Sequence, residues 1–571
     1  MVRIAADSRL CRTFRKSGAA GRGVMNIVCV SSSLCAALTG LGHNVLDLRP
    51  GAGIVRLAPL VGDFVPDLLI QQESLGPRTL VADLDVFACP KVFWSIDTHL
   101  NSFWHQYYAR LFDLFCTTQK HWQSWFRERG VARTLWLPWY GSPRVLPLWD
   151  ERRQGLGFVG RVTPERPVRE WFMDWLKALG PLETRADLGF ASMLDFYDRS
   201  RIVPNESIFG EVNFRLFEAA SCGCAVINPA TPGLEDLFVP GEEVAVYRDG
   251  AELADWVRRL RSEALLARSM GLRARERVKR EHLPQHRAAA LLAAVGETPA
   301  RSAATGGDAR VAWWLTLYHL WEAGRLDMDA DVLAGGLSAL PVTQEVLAVL
   351  LRLRARLGRE EYMRLAVPVA EKGQYESSVD VNLAGSMGAL GFADVRLARL
   401  FFLRHRRHCA PSSPDPGSTP LLICLAWARE LQRIRRVFRP GFVFNPKKHL
   451  PASSLECLVL ASEFEPQHTD VYREMARILA RDRGWDSLRL KALSYLSLRE
   501  RTNWRLTLEL GATNCRAFRV RQGLEELLAA RDEALRQGQE DRFWRRLEAH
   551  DESGRIRDLL RPATVPGPHA T

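Results

Sequence analysis

The chain has 571 residues, 47% of them hydrophobic and 25% charged, the make-up of a folded protein with about three to four domains at ~150 residues each. No apolar run approaches the ~20 residues needed to cross a bilayer, and none of the eleven cysteines forms a C-x-x-C pair, so reduced thiols in a cytoplasmic setting are expected and not a disulfide framework. The formal net charge of +12 favours anionic partners. Without an RNA-recognition or zinc-finger signature no nucleic acid is expected, and a membrane surface is not indicated.

In chain order, residues 1–24 are Arg-rich and lack an apolar h-region, which argues against a secretory signal. They read as a disordered leader, with the chain restarting at Met25. Residues 25–145 alternate strands and helices: "NIVCVS", a helix ending at the Gly40–Gly42 turn, then "PDLLIQQE", "KVFWSID" and "LFCTTQ", closed by "LWLPWYGSP". This pattern predicts a doubly wound parallel sheet. "DLD" at Asp83–Asp85 reads as a helix end.

Residues 146–296 start a second such unit with "GLGFVGRVTPERPVREWF" and continue through "ADLGF", a helix around Ser192–Arg199, and "RIVPNES". Asn213 is placed to cap a helix whose body is Phe214–Cys222, and Gly223 is where a left-handed terminal residue is wanted. Cys224–Ile227 is an apolar strand, broken by "NPATPG" and followed by the turn in "VPGEEV". The two halves, read as facing each other, are closed by two helices ending near Gly296.

Residues 297–309 read as a linker. Residues 310–560 have apolar residues at helical spacing, interrupted at Ala410–Pro420. No strict period emerges, so helix pairs of the TPR type are one reading among several. "RHRRHC" (Arg404–Cys409) reads as a solvated, basic helix face and not as a metal site. Residues 561–571 read as a frayed tail. The fold class is therefore α/β followed by all-α.

The ligand is argued from Arg215 and Glu218, three apart on one helix face. A helix start offers free N–H groups and a positive dipole end to a phosphate. Arg215 adds charge-assisted bonds to phosphate oxygens, and Glu218, one turn on, can accept from two adjacent ribose hydroxyls. A surface Arg–Glu ion pair is the alternative. On the first unit, Asp97 and His99 follow a strand end, where catalytic groups of α/β sheets gather. Either can serve an acceptor hydroxyl as base or holder; the alternative for Asp97 is a helix cap.

The run "NFRLFEAASCGCAVINPATPGLEDLFVPGEEVAVYRD" resembles the donor-binding segment of GT-B glycosyltransferases, in the CgeB-like branch of the family-four-type enzymes. Asn213, Arg215, Phe217, Glu218, Gly223, Gly233, Glu235 and Gly241 carry the likeness. More weakly it extends over 25–296, through "FVGR" (Gly160, Arg161), "LPWYGSP" and "FWSIDTH", and it leaves the C-terminal half uncovered. The resemblance implies transfer of a sugar from a nucleotide-diphospho-sugar, with retention. It implies that Glu218 holds the ribose, that Arg161 and Arg215 neutralise the diphosphate, and that the amides of Gly233, Leu234 and Glu235 line the sugar pocket. The broad family pairs two glutamates eight positions apart; here Gly210 stands at the first, with Glu211 one place off, which puts a catalytic role for Glu211 in doubt. No D-x-D signature stands in a suitable place, so neither metal nor cofactor is expected beyond the nucleotide-sugar itself. A degenerate scaffold, or a nucleotide-sugar isomerase or hydrolase, are the alternatives. The helical half is expected to select a protein or glycan acceptor, and a chain ending near Gly296 to bind the donor alone.

Overall fold

A computed structural model describes residues 23–74, 76, 78–297, 305–411 and 415–561. Most of the leader, most of the linker and the tail beyond residue 561 lie outside the described residues. The chain forms two compact units: one ends its first stretch at Tyr140 and takes up Glu281–Leu320, and the other holds Gly141–Arg280 and the chain from Trp321 onward.

The first unit contains β1 (Asn26–Val30), β2 (Asn44–Leu48), β3 (Gly53–Val55), β4 (Leu68–Gln72), β5 (Thr79–Val81), β6 (Lys91–Ser95), β7 (Leu114–Thr117) and β8 (Thr134–Trp136). Six of them make a parallel sheet in the order β2-β1-β4-β6-β7-β8, while β3 and β5 pair separately. The central strands are apolar and β-branched or aromatic because both faces are covered; Ile27, Ile70, Val92 and Trp94 are fully buried. The helix Pro284–Gly296 follows the second sheet in sequence but packs here. Its Ala288, Leu291 and Val295 join the core of β1, β4 and β6, and the buried Arg287 donates from Nε to Pro138 O (2.7 Å) and from Nη2 to Trp139 O (2.8 Å).

The second unit contains β9 (Gln154–Val159), β10 (Leu182–Arg185), β11 (Ser200–Pro204), β12 (Ala225–Pro229) and β13 (Ala245–Tyr247) in the parallel order β10-β9-β11-β12-β13. "ADLGF" is not part of the strand alternation: it is the loop after β10, with Asp187 in a left-handed conformation (φ 57°). The strand lies just before it, where the sequence offers only the polar, exposed Glu183, Thr184 and Arg185 of a sheet edge. The "DLD" stretch does stand at a helix end, with Asp83 at the cap position of the 3-10 turn Leu84–Val86, and the Asp83 carboxylate accepts from the amides of Leu57 (2.8 Å) and Ala58 (2.9 Å), at the start of the Ala58–Val61 helix.

From Trp321 the described residues are helical. Their core includes Leu351, Tyr362, Phe401, Phe402 and Trp427. A buried ion network ties Arg352 to Glu322 (2.8 Å), Glu322 to Arg439 (2.8 Å) and Arg439 to Glu456 (2.9 Å). The "RHRRHC" stretch is only partly a solvated face. Arg404 and His405 are buried, and His405 Nε2 lies 2.9 Å from Glu430 Oε1, because the helix Val395–Cys409 turns one flank inward against Trp427.

This helical half is built into the second sheet's domain. Phe518 belongs to the same buried cluster as Phe158, Phe172, Ile202 and Tyr247, with its ring 4.9 Å from that of Phe172 at 65°. Arg519 stacks over Trp171, and Arg555 pairs with Asp255 at 2.7 Å. The core around this second sheet thus includes a residue from position 518, well beyond Gly296.

Candidate active site

In open parallel sheets, ligands bind beyond the C-terminal strand ends where the strand order reverses. In the second unit that place lies between β9 and β11. Val159 ends β9, Gly160 and Arg161 follow it, and Asn205 and Glu206 follow β11. The loop from Asn205 leads into the helix Phe214–Ser221, which is terminated by the left-handed Gly223 (φ 66°) as its sequence predicts.

Asn205 is the hub. Its side-chain oxygen accepts from Arg215 Nη1 at 2.6 Å and from the Asn213 amide at 3.2 Å, and its Nδ2 donates to Asn228 Oδ1 at 2.6 Å. Its carbonyl accepts from the buried hydroxyl of Tyr247 at 2.7 Å. Asn213 therefore spends its side chain on Asn205 and on Glu206 O (3.1 Å). It stands at the cap position with extended backbone but makes no side-chain cap bond, a correction to its expected capping role.

Arg215 is aimed at the end of β9. Nε and Nη2 donate to Val159 O at 3.2 and 2.8 Å, and the guanidinium lies over the Phe158 ring at 4.4 Å. A Cβ at position 160 would sit 2.9 Å from Arg215 Nη2, so glycine there admits the guanidinium to the strand end. Arg161 is exposed and paired with Asp187. Behind it, Arg169 grips Glu206 Oε2 through Nε (2.8 Å) and Nη2 (2.6 Å), both residues buried.

Glu218 does not form the surface ion pair that stood as the alternative. It is not on a solvent-facing surface but only 8% exposed, and its carboxylate makes no hydrogen bond or ion pair with the described residues, Arg215 included. Burial pushes its pKa up to about 7, against the pull of the nearby Arg215 charge. A nearly buried carboxylate without a partner is expensive, and two ribose hydroxyls would satisfy it. Glu211 is occupied inside its own loop, accepting from Ser207 Oγ (2.8 Å), Ile208 N (3.1 Å) and Phe209 N (2.8 Å).

Gly233 is left-handed (φ 86°) and opens the short turn Leu234–Asp236. Leu234 is buried, and the Glu235 side chain points to solvent. The sequence reading passed over Thr231, whose buried Oγ1 has no partner among the described residues. Only its place in "NPATPG", directly after β12, could have drawn attention to it. The structure thus brings Gly160, Asn213 and Arg215 together through Asn205. Glu218 lies one turn along from Arg215, while no hydrogen bond joins Arg161 or Glu235 to the cluster.

In the first unit, Asp97 and His99 follow β6 as expected. Asp97 stands at the cap position of the helix Thr98–Tyr108 without a side-chain cap bond, and His99 is buried. Glu73, the last residue of "LLIQQE", was missed. Its buried carboxylate accepts from Ile96 N (2.9 Å), Asp97 N (2.9 Å), Ser95 Oγ (3.2 Å) and Asn101 Nδ2, with His105 Nε2 3.5 Å away. Burial foremost, then the Asp97 charge, raises its pKa to about 7. A Glu at a strand's C-terminal end is the signal that could have found it. Among the described residues no group of three or more His, Cys, Asp or Glu could hold a metal ion, and no helix is long and apolar enough to cross a membrane.

Two parallel Rossmann-like sheets, one with Arg215 at its switch point and Glu218 one helical turn along, define an α/β fold. Residues 150–293 match the family model described as Glycosyl transferase-like. No curated protein sequence matches the chain. Among solved structures, sucrose-phosphate synthase from Thermosynechococcus elongatus is 14% identical, covering 47% of this chain and 97% of that one, with a TM-score of 0.35. Anabaena HepE, solved with UDP and glucose, is 15% identical over 47% of this chain and 100% of that one, with a TM-score of 0.33. A glycosyltransferase from Rickettsia africae is 10% identical over 48% of this chain and 99% of that one, with a TM-score of 0.34.

Proposed function

We propose that the protein is a GT-B glycosyltransferase of the CgeB-like branch, moving a sugar from a nucleotide-diphospho-sugar to a hydroxyl, with retention and without a metal. The observation that carries this reading is Glu218: a nearly buried, unpartnered carboxylate one helical turn from Arg215, in a segment that matches a glycosyl transferase-like family model. In this reading Glu218 accepts from the ribose hydroxyls. Arg215, Arg161 and the helix start beside Asn213 face the diphosphate, supplying the charge stabilisation that a leaving nucleoside diphosphate needs. The turn at Gly233, Leu234 and Glu235, with the Thr231 hydroxyl, lines the sugar pocket. Asp97 and His99 serve the acceptor hydroxyl, on a loop whose amides are held by Glu73. The acceptor is a protein or glycan taken through the helical half, and no cofactor is needed beyond the donor. Thermal-shift titration with UDP, GDP, ADP and dTDP tests it. One of the four should raise the melting temperature, and saturation at ~100 times its dissociation constant adds ~2.7 kcal/mol. No shift with any of the four would overturn the donor assignment.

A further inference from the structure

The helical half touches the donor-side loop at Phe209. Phe209, midway along the loop from Asn205 to Asn213, lies against the turn Arg483–Trp485, more than two hundred residues later in the chain. Its ring centroid is 6.2 Å from that of Trp485 at 65°. Gly484 is so close that a Cβ there would overlap the Phe209 ring. Trp485 is backed in turn by Phe438, stacked at 5.7 Å and 18°, so the wall behind Phe209 is itself fixed. From the same turn Arg483 donates to Arg248 O. The residue before Arg248 is Tyr247, whose hydroxyl holds Asn205 O.

The loop is thus seated by the helical half at Phe209, and its first residue is held by Tyr247 of β13, next to the Arg248 carbonyl that Arg483 reaches. Inside, its shape is set by the Glu211 carboxylate on the amides of Ile208 and Phe209. Its first residue, Asn205, bonds both Arg215 and Asn213. Moving Phe209 therefore moves the elements that position Arg215.

Resting on the donor reading above, we infer that Gly484 and Trp485 are positioning residues for the donor site: they seat Phe209 and so hold Asn205 and Arg215 for the diphosphate. The helical half is then part of the donor site's support as well as a docking surface.

The test is a bump-and-hole series in the full-length chain, read by calorimetric titration with whichever of UDP, GDP, ADP or dTDP the parent binds. Gly484→Ala pushes a methyl group into the Phe209 ring and should weaken binding by about tenfold. Phe209→Leu loses part of the ring contact with Trp485 and should weaken binding by less than about threefold. Gly484→Ala combined with Phe209→Leu should recover affinity to within about threefold of the parent, a rescue that general destabilisation would not give. Arg555→Ala, which loosens the same two domains at the Asp255 ion pair away from the loop, should leave affinity unchanged. If Gly484→Ala does not fold, Trp485→Leu removes the wall and should weaken binding to a similar extent. A folded Gly484→Ala or Trp485→Leu chain that binds like the parent would overturn the positioning role, as would a double variant that regains melting temperature but not affinity. A parent that binds none of the four nucleotides overturns the donor reading itself, and the positioning role with it.

Discussion

Glu218 gives the donor site a pH dependence with a defined sign. Its carboxyl titrates at about 7 because it is buried, with Arg215 only partly offsetting that cost. Two ribose hydroxyls can both donate only to the ionised form. Affinity for a nucleoside diphosphate should therefore rise with pH and level off above pH 7. One unit below the pKa about a tenth of the sites are ionised, so affinity at pH 6 should be about tenfold weaker than at pH 8. Binding near pH 6.5 should also release a proton, since the bound hydroxyls favour the charged form. The free protein behaves in the opposite sense. Its folded-state pKa lies above the unfolded value, so ionising Glu218 costs stability, and the contribution falls as pH rises from about 4.5 to 7. Calorimetric titration in buffers of differing ionisation enthalpy reads both affinity and proton release. A terminal phosphate itself titrates at about 6, so Glu218→Gln is measured alongside; it should bind more weakly at pH 8 and show only the residual ligand dependence. If parent and Glu218→Gln give superimposable profiles, Glu218 does not hold the ribose.

Other consequences are equally specific. Arg215→Lys keeps the charge but loses the fork that spans Val159 O and Asn205 Oδ1; turnover and nucleotide affinity should fall, by about 1.5–3 kcal/mol in binding measured by titration. Phe518→Ala empties a place in the donor domain's core and should cost about 3–5 kcal/mol in denaturant unfolding. A chain truncated after Gly296 should then be insoluble or unfolded by circular dichroism; a soluble truncated chain with parental nucleotide affinity would contradict the shared core. Glu73→Ala leaves the Ile96 and Asp97 amides unpaired and should destabilise the first unit by about 1–3 kcal/mol per lost buried partner. Glu73→Gln, which keeps the shape and one acceptor, should cost less.

The two sheets were legible because their central strands are buried on both faces and so read as unbroken apolar runs, as in "NIVCV" and "CAVIN". Strands at the margins were not. β10 is polar and exposed, and β3 and β5 are three residues each, too short to show a period. The donor-side residues were legible where chemistry and spacing coincide, as for Arg215 and Glu218. What the local pattern could not give was burial: helix periodicity says that the two share a face, not that Glu218 on it is almost fully buried. Asn205 and Glu73 escaped for a related reason, since their importance lies in partners 10 to 28 residues away that only the fold brings close. The seating of Phe209 by Gly484 and the completion of the donor core by Phe518 span far longer stretches of chain. No window of local sequence contains both members of either pair.

The most direct test of the proposed activity is nucleoside diphosphate release. Purified full-length protein is incubated with a panel of nucleotide-diphospho-sugars, with and without a cell extract as acceptor source, and the released nucleotide is quantified by chromatography. One donor should release its nucleotide, faster with extract than without, and Glu218→Gln and Arg215→Lys should both slow that release. No release from any donor, or equal release by the parent and both variants, would contradict a glycosyltransferase whose donor is held by Glu218 and Arg215.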